Sequence, residues 1–323
     1  MGAAGGDDGE VPTCDCSVGS IGCGSSLEEA AADDGCTIPL LPEHVGDLLA
    51  CSEGVWQVEQ TCEDGCAPGA PDACLSVLPT VTMDELVLQA QVEPFRGDQP
   101  MLPGDPSVEL VQAALGDEGF SVSVDGWFGN ETADIYASWQ TQLGYSGLGA
   151  NGIPGPSSLE ALGIDRFGIE RLIAVGGQTT HSGKTINQRT LDMISAAEGI
   201  VGYDIVVTQG SYNAGGVSAS AGTHDGGGAV DISVLNKTAT ARWELVKALR
   251  TVGFAAWLRT PSQGNWPYHI HAIAVGDTDV SISARNQIAD YFVGLNGLAS
   301  HAADNTPAEY QVPFTWWEQY QGR

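Results

Sequence analysis

The sequence is poor in basic residues. Of its 323 residues only 12 are lysine or arginine, against 41 that are aspartate or glutamate, and the formal net charge is −29 at pH 7. A field of this sign repels the phosphates of nucleic acids and the headgroups of anionic membranes. We therefore expect no nucleic-acid partner. The sequence also lacks any run of about 18 apolar residues, so we expect no membrane insertion.

Cysteine is missing from the sequence after residue 74. All eight cysteines precede that point, at positions Cys14, Cys16, Cys23, Cys36, Cys51, Cys62, Cys66 and Cys74. An even number of cysteines among glycine, aspartate and proline is typical of a small module cross-linked by disulfides in an oxidising compartment. A structural zinc site is the alternative, but the paired Cys-x2-Cys spacing is absent. The sequence therefore predicts a disulfide-rich module, and its connectivity stays open.

The first ten residues, MGAAGGDDGE, lack the basic and apolar regions of a secretory signal. Either a signal has been removed from this chain or the protein is not exported. Because the cysteines indicate an oxidising compartment, we favour removal and expect a secreted or periplasmic protein.

Changes in composition divide the chain into five segments. They are a flexible lead (1–12), the cysteine-rich module (13–78), a linker rich in proline, glycine and aspartate (79–104), a helical domain (105–164) and a domain in which helix and strand patterns alternate (165–323). We expect a multidomain fold. It would combine a disulfide-rich N-terminal module, a small three-helix bundle and a C-terminal α+β domain whose antiparallel sheet has helices on one face.

The helical segment has a recognisable set of turn and core residues. Val108, Val111 and Leu115 recur at helical spacing behind Ser107, which we predict to be an N-cap. The segment resembles the three-helix peptidoglycan-binding domain, which is marked by an Asp-Gly-x-Phe-Gly turn, a downstream threonine and an aromatic residue followed by glutamine. The matching residues are Asp125, Gly126, Phe128, Gly129, Thr132, Trp139 and Gln140. This resemblance implies peptidoglycan as a partner.

The stretch SAGTHDGGGAVDIS holds His224 and Asp231 seven positions apart, with three consecutive glycines between them. In a fully extended strand the two side chains would be about 23 Å apart. Glycine permits positive φ, so the chain can bend and bring His224 beside Asp231. Farther along, His269 and His271 in WPYHIHAIAV are two positions apart on a predicted strand and share one face. We predict a zinc site formed by His224, Asp231 and one of these two histidines, with a fourth position left for water.

The order His-x6-Asp followed by His-x-His resembles the D-alanyl-D-alanine, lysostaphin and hedgehog superfamily of zinc peptidases. The resemblance implies that His271 is the third metal ligand and that His269 is catalytic. The carboxypeptidase branch has a glutamate or aspartate three residues before its last zinc histidine as general base, but the corresponding residue here is Tyr268 or Trp266. The sequence therefore favours the His-x-His chemistry or a base from elsewhere, for which Asp225 is a candidate.

These features together predict a secreted, zinc-dependent peptidoglycan peptidase. It would cleave a peptide bond of the stem or cross-link, with a bond at D-alanine as the expected target, through a metal-activated water. We expect Gln209, Trp266 and Tyr268 to bind the substrate. The alternative is a metal-containing wall-binding protein without turnover. The sequence does not distinguish a carboxypeptidase from an endopeptidase.

Overall fold

The computed structural model describes residues 21–23, 48–52, 55–60, 66–67, 73–74, 78–96 and 102–322. The chain divides into two compact units, Met1–Leu78 and Pro79–Arg323. In the first unit β1 (Ile21–Cys23), β2 (Leu48–Ser52) and β3 (Val55–Gln60) form an antiparallel sheet, and β4 (Cys66–Ala67) pairs with β5 (Ala73–Cys74). The lead 1–12 and the cysteine side chains lie outside the described residues, so the disulfide prediction stays a prediction.

The second unit begins with a strand and four helices. These elements are β6 (Thr80–Thr82), α1 (Met83–Arg96), α2 (Pro106–Asp117), α3 (Asn130–Gln142) and α4 (Pro156–Gly163). The predicted linker 79–104 is therefore wrong over β6 and α1. Met83, Leu86 and Ala90 repeat at helical spacing and are fully buried, which gives α1 a core-facing side. Asp105, not Ser107, is the N-cap of α2, because its side chain accepts a hydrogen bond from the Ser107 backbone N–H.

The motif of the predicted peptidoglycan-binding segment holds the three helices α2 to α4 together. Phe128, Thr132, Trp139 and Gln140 are all buried. The Nε2 of Gln140 donates to the backbone oxygen of Ile153 at 2.8 Å, and Nε1 of Trp139 donates to that of Ser158 at 3.0 Å. These motif residues are therefore packing residues, and any ligand of this segment must bind elsewhere on its surface.

The rest of the second unit is an α+β arrangement around a four-stranded antiparallel sheet. Its strands lie in the order β10 (Val207–Gln209), β11 (Ala229–Ser233), β13 (His269–Ala274), β12 (Phe254–Arg259). The other elements are β7 (Gly168–Glu170), which pairs with β6, the hairpin of β8 (Gln178–His181) and β9 (Lys184–Asn187), and the helices α5 (Gln188–Val201), α6 (Ala239–Thr251), α7 (Ile282–Phe292) and α8 (Trp317–Tyr320). The prediction of α+β elements with an antiparallel sheet is confirmed.

Both faces of this sheet are covered in part by helices, so the expectation of helices on one face is wrong. Val230, Ile232 and Ile270 point to the face that packs against α5 and α6. The alternate residues Ala229 and Ile273 belong to a second core, which also contains side chains of α1 to α4 and α7. Because this second core is continuous, the predicted boundary after residue 164 lies inside one packed body.

No helix in the described part of the chain has the length and apolarity needed to cross a membrane.

Candidate metal centre

The four strands place polar side chains in two adjacent rows on one face of the sheet. Residues directly opposite each other in an antiparallel pair point to the same face. The first row crosses all four strands through Gln209, Asp231, His271 and Trp257. The second row is formed by Ser233, His269 and Arg259. The strand register therefore brings Asp231, His269 and His271 together, as the sequence predicted.

His224 reaches the same place from the glycine-rich segment. The segment is held by two backbone hydrogen bonds: the N–H of Asn213 donates to the oxygen of His224 at 2.9 Å, and that of Tyr212 donates to the oxygen of Gly226 at 2.8 Å. The His224 ring is buried, with Nδ1 2.9 Å from the backbone oxygen of Gly210. His224 is thus fixed before any ligand binds.

The three glycines serve close packing more than bending. Only Gly228 has a positive φ, of 74°. A Cβ on Gly226 would lie 2.3 Å from the backbone oxygen of Asp279, and one on Gly227 would lie 2.9 Å from the hydroxyl of Tyr212. A side chain at either position would push the segment away from its neighbours. His224 does lie beside Asp231, as predicted from the glycines. Gly228 provides the positive φ, whereas Gly226 and Gly227 are needed because neighbouring atoms leave no room for a side chain.

His224, Asp231 and His271 form a group that could hold a metal ion. One ligand atom from each lies within 4.8 Å of the others. Oδ1 of Asp231 is 2.9 Å from Nδ1 of His271 and 3.4 Å from Nε2 of His224, and the two rings are 5.2 Å apart. Nε2 of His269 is 3.8 Å from the same oxygen.

The hydrogen bonds around the rings assign their tautomers. Nε2 of Gln287 donates to the backbone oxygen of Gly297 at 2.7 Å, so Oε1 of Gln287 accepts from Nε2–H of His271 at 2.8 Å. Nδ1 of His271 then carries a lone pair that points to Asp231. In His224 the proton lies on Nδ1, which donates to Gly210, and the lone pair is on Nε2. A metal-binding histidine commonly donates its other ring N–H in this way, so the residues fit a metal ion.

The protonation states of the side chains in this group suit a divalent metal ion. Burial lowers the pKa of His271 to about 4, so its ring is neutral at pH 7. A neutral imidazole, as at His271, and a carboxylate, as at Asp231, are forms that bind divalent metals.

His269 is placed differently from the three residues of this group. Its side chain is 18% exposed, whereas that of His271 is 7% exposed. Nδ1–H of His269 donates to the backbone oxygen of Pro267 at 2.9 Å, which leaves a lone pair on Nε2. The Trp266 ring packs edge-on against it at 6.1 Å. His269 is therefore an oriented, solvent-accessible base next to the group.

The group lies in a cavity of about 310 Å³. Gln209, Trp266 and Tyr268, which were predicted to bind the substrate, all line it. Asp225 does not line it, and its carboxylate lies beside Gly222, so the structure does not support Asp225 as a base. Of the described residues that line the cavity, Asp231 alone carries a carboxylate.

Three residues of the site were missed by the sequence analysis. Trp257 stacks on His271 with the ring centroids 6.3 Å apart, and Arg259 lines the cavity one row further on. Strand alternation on FAAWLR could have found both. Gln287 comes from α7, and nothing in its local sequence pattern indicates a contact with His271.

Comparison of the chain with protein-family models, with curated proteins and with solved structures finds no match.

Proposed function

We propose that the protein is a secreted zinc peptidase that acts on peptidoglycan peptides. The observation that supports this most is the convergence of a ring nitrogen of His224 and one of His271 on the carboxylate of Asp231, beside a separately oriented His269. A ligand set made of two histidines and one carboxylate is typical of catalytic zinc, which keeps one position for water.

The zinc would be held by His224, Asp231 and His271. When bound in such a site, zinc polarises a carbonyl oxygen and lowers the pKa of a bound water to about 7. The protein contributes the fixed ligand geometry. Gly210 and Gln287 hold the histidine tautomers, and Trp257 supports the ring of His271 from the side of the sheet.

His269 would act on the substrate and not on the metal. Its Nε2 lone pair can take a proton at the cavity, and in the protonated state the same nitrogen can donate a hydrogen bond to a developing oxyanion. No carboxylate other than that of Asp231 lines the cavity in the described part of the chain, so an imidazole has to supply the proton transfer.

The cavity walls suit a short peptide. Its volume of about 310 Å³ lies at the lower end of the range for small-molecule sites. Nε1–H of Trp266 is buried and has no acceptor among the described residues, so it is available to a substrate carbonyl. Val217, Leu235 and Tyr268 expose apolar surface at the cavity. Bonds at D-alanine in the stem or cross-link are the proposed target, and the helices α2 to α4 would bind the wall.

A metal-containing wall-binding protein without turnover is the second candidate. It is favoured by the lack of a second carboxylate among the described residues of the cavity wall, because such a group is the general base in the carboxypeptidase branch that the sequence resembles.

Digestion of purified cell walls tests the proposal. Zinc content would be measured by elemental analysis, and released peptides by mass spectrometry, with and without a chelator. We expect His271→Ala to lose both zinc and peptide release, and His269→Ala to keep zinc and lose release. His181→Ala is the matched control, because His181 bonds to the backbone oxygen of Ile205 and lies outside the cavity wall. A zinc-loaded wild type that releases no peptide would favour the second candidate.

A further inference from the structure

Arg259 is a buried cation with a free donor at the cavity. Its side chain is 3% exposed, and it lines the same cavity as the metal group. Nη1 donates to the backbone oxygen of Asn296 at 2.6 Å, whereas Nη2 is buried and has no hydrogen-bond partner among the described residues. A buried charged donor without an acceptor is costly, so it calls for a partner, and at a cavity wall a ligand can be that partner.

The sheet fixes Arg259 close to the reacting groups. Arg259 is directly opposite His269 in the pairing of β12 with β13, so both side chains leave the same face. The guanidinium carbon lies 5.0 Å from the centre of the Trp257 ring, and Trp257 stacks on His271. The bond to Asn296 and the contact with Trp257 restrict the guanidinium, so the free donor has a defined position.

The charges in the cavity define what the free donor can bind. Among the described lining residues Arg259 is the one arginine or lysine, and the carboxylate of Asp231 belongs to the metal group. A guanidinium binds carboxylates through paired, charge-assisted hydrogen bonds that neutral groups do not match. The Arg259 donor therefore fits an anionic group of the substrate.

We infer that Arg259 binds a carboxylate of the peptide substrate and thereby selects peptides with a negative charge next to the cleaved bond. The inference rests on the proposed function, since it takes a peptide as the ligand. The carboxylate can be the free C-terminus, which makes the protein a carboxypeptidase, or an acidic side chain within the peptide, which is compatible with an endopeptidase.

Binding of three synthetic peptides to the zinc-free full chain, measured by calorimetry, tests this without turnover. The peptides are acetyl-L-lysyl-D-alanyl-D-alanine, its C-terminal amide, and an amidated analogue that carries a D-glutamate. We expect wild type to bind the free acid about 10-fold to 100-fold more tightly than the plain amide. If the amidated D-glutamate peptide binds tightly and the free acid binds no better than the plain amide, the carboxylate is instead that of a side chain.

Two variants assign the preference to Arg259. Arg259→Gln should bind acid and amide equally, and Arg259→Lys should keep part of the preference. Arg285→Gln is the matched control, because Arg285 is also buried, has an unpartnered Nε and does not line the cavity. Its preference should equal that of wild type. Because the comparison of acid with amide needs only wild type, it remains informative if a variant does not fold.

The inference is overturned if wild type binds all three peptides equally, or if folded Arg259→Gln keeps the preference. Digestion of cell walls is a separate readout. If wild type releases peptides but shows no preference for the acid, the proposed function stands and the role of Arg259 is refuted. If wild type neither releases peptides nor shows the preference, the proposed function and the role of Arg259 are both refuted.

Discussion

Gln287 determines which ring nitrogen of His271 carries the proton, so replacing Gln287 should weaken metal binding at the candidate centre without changing a candidate ligand. In Gln287→Leu, Nε2 of His271 loses its acceptor at 2.8 Å. The proton is then more stable on Nδ1, where it can be donated to Asp231 at 2.9 Å. A metal must displace that proton before it can use the Nδ1 lone pair. Loss of such a supporting bond typically lowers metal affinity about 10-fold to 100-fold, or about 1.4 to 2.7 kcal/mol.

Competition with a chromophoric chelator measures the zinc affinity of wild type and variant. Asn286→Leu is the control, because Asn286 is the neighbouring amide on α7 and does not line the cavity. It should bind zinc as tightly as wild type. Circular dichroism checks that both variants fold. If folded Gln287→Leu binds zinc within about twofold of wild type, Gln287 does not set the tautomer and the assignment is wrong.

Three further predictions follow from the packing and charge of the second unit. Gly227→Ala should destabilise the protein by about 1 to 3 kcal/mol in urea unfolding, because its Cβ would lie 2.9 Å from the Tyr212 hydroxyl. Gly199→Ala, whose Cβ would have no atom within 4 Å, should be neutral or stabilising. Equal effects of the two substitutions would contradict the argument that close packing requires glycine at position 227. Burial raises the pKa of Asp277 from 3.8 to about 6, so the native state binds the extra proton and its stability falls as pH rises between these values. Stability measured relative to Asp277→Asn should therefore fall by about 3 kcal/mol from about pH 3 to pH 7, and parallel curves for the two proteins would refute this. Sedimentation with purified walls should show binding that survives about 0.5 M NaCl, because a chain of net charge −29 gains nothing from attraction to anionic walls; loss at moderate salt would show that charge drives binding.

The sequence predicted the parts of the site that local patterns specify. Alternation on HIHAIA places His269 and His271 on one face, and the glycines before Asp231 mark a segment that runs close to other backbone. The position of Gln287 depends on how α7 packs against the sheet, which no local pattern specifies. The sequence analysis did not predict α1, because the proline, glycine and aspartate residues that follow it are typical of a linker and were taken to include the helical segment.

The free donor of Arg259 shows a different limit. An arginine at the end of an apolar strand is typical of a side chain that reaches solvent, and sequence alone gives no reason to expect it to be buried. Burial results from the bond to Asn296, which lies far along the chain beyond α7. Only the tertiary structure shows that Nη1 of Arg259 donates a hydrogen bond and that Nη2 has no acceptor among the described residues.

The antiparallel register couples the stability of this unit to its chemistry. The strand residues between His269 and Ile273 alternate, so the ones that do not face the site, Ile270 and Ala272, are fully buried against α5 and α6. A slip of one residue would turn both histidines into that apolar core and expose the apolar side chains at the cavity. The hydrophobic free energy of the core therefore opposes every register that is shifted by an odd number of residues. The same pairing holds Asp231 and Trp257 on either side of His271, so the geometry of the candidate metal centre follows from the pattern that folds the sheet.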